Sequence, residues 1–172
     1  IIIDSVSKRF SACGARIGCI VCKNDEVMAN VMKIAMGRLC CPTLEMVGAT
    51  AMYKLDPSFF DAVRKEYEHR RDVSYEALKK IPGGVCEKPG GAFYITCKLP
   101  VENAEDLLIF LLKEFRDNGE TVMYAPAEGF YATPGIGKNE LRIAYILNAD
   151  DMARGIELLG KGIEAYKAAG HK

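Results

Sequence analysis

The chain opens on an unbroken apolar run, Ile1-Ile2-Ile3, closed by Asp4, which predicts a buried strand over residues 1–4. A turn of small and polar residues fills positions 5–16. Residues 17–22 then alternate as a second strand returning from it. Asn24-Asp25-Glu26 supplies a helix cap, and Val27, Met28, Val31, Met32 and Ile34 follow at helical spacing. The pattern breaks over residues 37–42, after which Thr43 caps a helix carrying Leu44, Val47, Ala51 and Met52. Asp56-Pro57 reads as an N-cap with proline at the first helical position. It opens a long helix striped by Phe60, Val63, Tyr67, Tyr75 and Leu78, which stops before Pro82-Gly83-Gly84. Its middle, residues 64–72, is dense in charge and predicts a solvent-facing bridge between two domains.

From Val85 onward short strands alternate with helices. Strands are predicted over residues 92–99, 122–124 and 141–146, helices over 103–118 and 150–166, and a loop over 130–137. Leu107, Leu108, Leu111, Leu112 and Phe115 form one apolar stripe, and Ile156, Leu159, Ile163 and Tyr166 form another. Two such stripes predict a small sheet with helices on one side, an α+β layer. The change of pattern places a domain boundary near residues 43–60. The chain has no internal repeat and no low-complexity segment.

Composition narrows the function classes. At 172 residues the chain can bury one good core or two small ones. Its 23 basic and 23 acidic residues are mixed along the sequence, which argues against a basic face for nucleic acid or membrane. No apolar run approaches the ~20 residues that span a bilayer, and no leader precedes the first strand, so a cytoplasmic location is expected. Seven cysteines include Cys19-Ile20-Val21-Cys22 and the adjacent pair Cys40-Cys41. Strand alternation puts Cys19 and Cys22 on opposite faces, and the only histidines are His69 and His171. The expectation is no metal site and free thiols in a reducing compartment.

The candidate chemistry begins at Lys8, just past the first strand among Ser5, Ser7 and Ser11, with Arg16 trailing. A cleft that strips water from an ammonium favours the neutral, nucleophilic amine, and so does a nearby cation. Such an amine condenses with aldehydes, and a hydroxyl with a guanidinium beside it suits a phosphate. Pyridoxal 5′-phosphate (PLP) carries both groups. Without further context, a lysine in a serine-rich turn is more often a solvated loop residue.

The run Ser5-Val6-Ser7-Lys8-Arg9-Phe10-Ser11-Ala12-Cys13-Gly14-Ala15-Arg16-Ile17-Gly18 resembles the lysine signature of class I, aspartate-aminotransferase-like enzymes of PLP fold type I. The match holds at Ser5, Lys8, Gly14, Arg16 and Gly18. Arg38-Leu39-Cys40-Cys41-Pro42-Thr43, Pro89-Gly90-Gly91-Ala92-Phe93-Tyr94 and Leu141-Arg142-Ile143-Ala144-Tyr145 fit the same family in order, so the similarity covers nearly the whole chain. The resemblance implies that Lys8 forms the Schiff base with PLP, while Ser5 and Arg16 hold the cofactor phosphate. It implies an α/β fold in three parts. Residues 1–45 would end the large PLP-binding domain as strand, lysine loop, strand and helix; 46–82 would be bridging helices; 83–172 would form the small C-terminal α+β domain. It also implies a homodimer for the full-length enzyme. Family members are more than twice as long, and this chain starts without methionine, so it is expected to be their C-terminal part and inactive alone. The residues that stack on the ring, pair with its nitrogen and cradle the phosphate at a helix terminus are expected upstream.

Arg142 lies within an apolar strand and keeps its charge, so it needs an anion or acceptor. The pattern alone fits a structural salt bridge as well as a ligand grip. The resemblance implies the grip, on the substrate α-carboxylate, bidentate as a guanidinium fork allows. Arg38 precedes the segment that family members send toward the neighbouring subunit. It is a candidate for a substrate side-chain carboxylate, although its spacing to Pro42 departs from the family pattern. Phe93, Tyr94, Phe130 and Tyr131 are candidates for the cleft wall or for core. Gly135-Ile136-Gly137 lacks the context of a phosphate loop, and Asp4 is a poor partner for the ring nitrogen. The implied activity is transamination between an L-amino acid, aspartate or a related acid, and a 2-oxo acid such as 2-oxoglutarate. A carbon–sulfur lyase, a cyclopropane-carboxylate synthase relative and a non-catalytic aminotransferase-like domain remain open at this point.

Overall fold

A computed structural model describes residues 1–171. They divide into two compact units, Ile1–Phe59 and Phe60 onward.

In the first unit, β1 (Ile2–Ser5) and β2 (Gly18–Val21) pair antiparallel, with Asp4 opposite Cys19 and Ser5 opposite Gly18. This ladder pins both ends of the lysine loop. The loop holds a one-turn helix, α1 (Val6–Arg9), and a 3-10 turn at Cys13–Ala15. Gly18 is needed where the strands close, because a Cβ there would lie 2.9 Å from the Asp4 carbonyl oxygen. α2 (Asp25–Gly37) starts on the predicted cap, with Asn24 Oδ1 accepting from the Val27 amide at 3.0 Å. Asp25 and Glu26 in its first turn complement the helix dipole. In α3 (Thr43–Met52), Thr43 is the first helical residue rather than the cap; Pro42 takes the cap position without a side-chain hydrogen bond. Val6 and Ala49 are the buried apolar residues of this unit, while Ile1, Ile2, Ile3, Ile34, Leu44 and Val47 stay exposed. The expectation of a buried first strand therefore fails for this chain, where the described residues leave the isoleucines of the two-stranded ladder uncovered.

α4 (Phe59–Leu78) begins two residues beyond Pro57. Asp56 Oδ1 accepts from the Ser58 amide at 2.8 Å and the Asp56 carbonyl from the Phe59 amide at 2.9 Å, so Asp56-Pro57-Ser58 forms a turn ahead of the helix. Arg64 and Glu66 face solvent as predicted, but Arg70 and Arg71 do not. Arg70 donates to the Ile146 carbonyl at 2.7 Å, and Lys88 pairs with Asp72 at 2.9 Å. These contacts fasten the second half of α4 to the chain that follows it.

The second unit continues with β3 (Val85–Cys86), β4 (Tyr94–Lys98), α5 (Ala104–Lys113), β5 (Ala125–Pro126), β6 (Glu140–Ala144) and α6 (Ala149–Ala168). The strands form one antiparallel sheet in the order β3-β4-β6-β5. Ile95, Cys97 and Leu141 turn inward and join Leu107 and Leu111 of α5 and Ile156, Leu159 and Ile163 of α6 in a continuous core. Each fully buried side chain of this kind is worth roughly 1.5–3 kcal/mol against exposure. Gly162 lets α6 meet α5, since a Cβ there would overlap the Leu111 side chain. Helices thus cover one face of the sheet, as predicted. The other face carries Tyr94, Thr96 and Arg142, by the register that sets Thr96 opposite Arg142.

The helix predicted over 103–118 stops at Lys113. Arg116 turns back to donate to the Leu111 carbonyl at 3.1 Å and the Leu112 carbonyl at 2.9 Å, which satisfies two open helix-end acceptors. Asn118 and Gly119, at φ 54° and 84°, then form a two-residue turn closed by paired Asp117–Glu120 backbone bonds. The strand predicted at 122–124 consequently falls at Ala125–Pro126. No helix among the described residues is long and apolar enough to cross a membrane.

Candidate functional site

Ser5, Lys8 and Arg16 lie on the single loop that the β1–β2 ladder closes. Ser5 caps α1, its Oγ accepting from the Ser7 amide at 3.1 Å and donating to the Ile17 carbonyl at 3.1 Å. Its hydroxyl therefore ties one arm of the loop to the other. Arg16 stands in the left-handed region at φ 54°, and its guanidinium donates to the Cys13 carbonyl at 2.8 Å. Lys8 occupies the last turn of α1 and is exposed. The sequence predicts a buried amine here, and in the described residues of this unit Lys8 is exposed.

A polar clamp that the sequence reading missed fixes the base of this loop. Arg9 pairs with Asp4 at 2.8 Å, Tyr53 Oη donates to the same carboxylate at 3.3 Å, and the Phe10 ring meets Tyr53 edge-on at 5.2 Å. The Ser5 amide and then the Arg9 guanidinium hold the Asp4 carboxyl below its ordinary range. Burial and the Asp4 charge push the Tyr53 phenol up. Asp4 is thus engaged in loop architecture. No local sequence signal reveals a partner 49 residues away.

Arg142 is half-buried on the open face of the second unit's sheet. Its guanidinium carbon lies 4.4 Å from the Tyr94 ring centroid and 4.0 Å from that of Phe130. Among the described residues no carboxylate pairs with it, so the structural salt bridge that its sequence context allowed is not present. The neighbouring motif residue Tyr145 is buried, its Oη donating to the Ala92 carbonyl at 2.9 Å, which ties the Pro89–Tyr94 segment to β6. Of the four candidate aromatics, Tyr94 and Phe130 lie against Arg142, Phe93 packs on the core, and Tyr131 donates to Glu140. Arg38 ends α2, exposed.

The remaining candidates stay outside this chemistry. The seven cysteines are free thiols, and burial pushes Cys97 up to about 12, which keeps it protonated. Among the described residues no group of three or more His, Cys, Asp or Glu side chains could hold a metal.

This fold is similar to that of solved aminotransferases. The α-aminoadipate aminotransferase of Thermus thermophilus, solved with N-(5′-phosphopyridoxyl)-L-leucine, matches at TM-score 0.79 and 24% identity, over 92% of this chain and 40% of that one. The alanine aminotransferase of Pyrococcus furiosus matches at TM-score 0.78 and 25% identity, over 95% and 42%. The chain belongs to the aminotransferase class I and II family, whose sequence profile matches residues 1–159. It is 32% identical to an aspartate aminotransferase of Sulfurisphaera tokodaii across 95% of its length, and 31% identical to a probable aspartate/prephenate aminotransferase of Aquifex aeolicus across 94%. It spans 41% and 40% of the lengths of these two relatives. PLP is the cofactor of this family.

Proposed function

We propose that the complete protein carrying this chain transfers an amino group from an L-amino acid, aspartate or a related acid, to a 2-oxo acid such as 2-oxoglutarate. The observation that carries the reading is Arg142, a half-buried permanent cation with no carboxylate partner among the described residues. A fork of N–H donors left open in this way suits an α-carboxylate, bound bidentately. The names of the curated relatives support aspartate as the first substrate to test.

The lysine loop fits PLP in its donor set: an amine for the aldehyde, with a hydroxyl and a guanidinium for the phosphate. Ser5 and Arg16 would hold the phosphate. Arg16 keeps a left-handed backbone that costs about 1–3 kcal/mol, a strain that tends to be retained at functional positions. When bound, PLP supplies an electron sink for the charge that develops at the substrate Cα. The Lys8 amine would take the proton from the substrate Cα and hold it for return, serving as base and then acid. Arg142 would orient the substrate by its carboxylate, and Arg38 would offer a second anion contact. The division into residues 1–45, 46–82 and 83–172 belongs to the same proposal; the two compact units divide at Phe59 and Phe60, inside its middle part. A homodimer of the complete protein belongs to the same proposal, by resemblance to the family.

The test is amino transfer by the complete protein from aspartate to 2-oxoglutarate, followed as glutamate formed. Turnover with stoichiometric oxaloacetate is the expected result. Release of pyruvate, ammonia and a thiol from a cysteine S-conjugate, with no glutamate formed from aspartate, would replace this reading with a carbon–sulfur lyase.

A further inference from the structure

Arg142 has aromatic neighbours and, among the described residues, no carboxylate partner, and this bears on ligand binding. A carboxylate partner would occupy N–H donors and cancel the charge, so an incoming anion would have to displace it. A ring face attracts the cation through its quadrupole and takes up no donor. Rings beside the guanidinium also exclude water, which strengthens the pull on an anion at the remaining edge. The fold supplies these rings from two places. Thr96 lies directly opposite Arg142 across β4 and β6, so Tyr94, two residues along β4, occupies the same face. Phe130 ends the 3-10 turn Glu128–Phe130 between β5 and β6, and its amide donates to the Ala127 carbonyl at 2.9 Å.

We propose that Tyr94 and Phe130 are positioning residues that hold the Arg142 guanidinium by its π contacts and so keep its donors available to a substrate carboxylate. The inference rests on the reading of Arg142 as a carboxylate grip. Phe130 is 56% exposed, so its replacement leaves the core intact.

The experiment uses the complete, cofactor-loaded protein with three variants, Phe130→Leu, Phe130→Tyr and Arg142→Lys. Two quantities are read: the calorimetric dissociation constant of butanoate, which offers a carboxylate and no amine, and steady-state kinetics with aspartate. Phe130→Leu keeps apolar bulk but removes the π face. It is expected to weaken butanoate about five- to tenfold and to raise KM similarly, with kcat falling far less. Phe130→Tyr restores the π face and is expected to stay within about twofold of the parent. Unchanged butanoate binding in Phe130→Leu, with weakened binding in Arg142→Lys, would overturn the stacking role and leave the carboxylate grip standing. Unchanged binding in both variants would remove the grip itself.

Discussion

The unit that carries Lys8 and the unit that carries Arg142 are held together by different forces. The first closes its loop with a four-residue ladder, an Asp4–Arg9–Tyr53 clamp and little buried apolar surface. The second sets Arg142 on a strand whose opposite face seals a core built from β4, β6, α5 and α6. The arginine's placement is therefore a matter of packing. The lysine loop's shape rests on hydrogen bonds and charge, which respond to pH and to what lies against the loop. Arg142, the proposed carboxylate grip, sits on the rigid layer, and Lys8, the proposed proton carrier, sits exposed on a short helix.

The largest effect expected from this contrast is chemical. Lys8→Ala in the complete protein should reduce turnover by about 10²–10⁴-fold or more, read from steady-state rates, while leaving the unfolding midpoint close to that of the parent. Retained turnover would mean that the amine lies elsewhere. Next in size is packing. Leu159→Ala, in the sealed core, should destabilise the second unit by about 2–5 kcal/mol in denaturant titration. Ile2→Ala, on the exposed ladder, should change this chain's stability by within about 0.5 kcal/mol. Equal losses at the two positions would erase the distinction between the units.

Smaller again is the loss of a fork. Arg142→Lys keeps the charge but gives up bidentate geometry, so KM for aspartate should rise about 10- to 100-fold with PLP still bound. The smallest effect is that of pH on the loop. Asp4 has its folded value lowered from 3.8, so its contribution is full above that value and is lost as pH falls through the lower, folded one. Protection of the Ser5 and Val6 amides, taken relative to intrinsic exchange, should therefore fall below about pH 4 in the parent. In Asp4→Asn that step should be absent.

The helical stripes and the layer they form were readable because each repeats several times: Leu107, Leu111 and Phe115 on one helix, Ile156, Leu159 and Ile163 on the other. A wrong boundary came from treating 103–118 as one periodic run. Asn118-Gly119 is itself a hairpin signal in the sequence, and reading it would have ended the helix earlier. The lysine loop was legible as a motif, yet its environment was not. Exposure of Lys8 depends on which surfaces cover the loop, and the Tyr53–Asp4 contact joins residues with no local relation. Likewise the pattern around Arg142 left a salt bridge open, and only the strand register with the 128–130 turn brings rings to it instead.

Reductive trapping tests the central claim most directly. Borohydride treatment of the complete, PLP-loaded protein, followed by peptide mapping, should place a single reduced pyridoxyl group on Lys8. A label on any other lysine, or no label in protein that binds PLP stoichiometrically, would contradict the account.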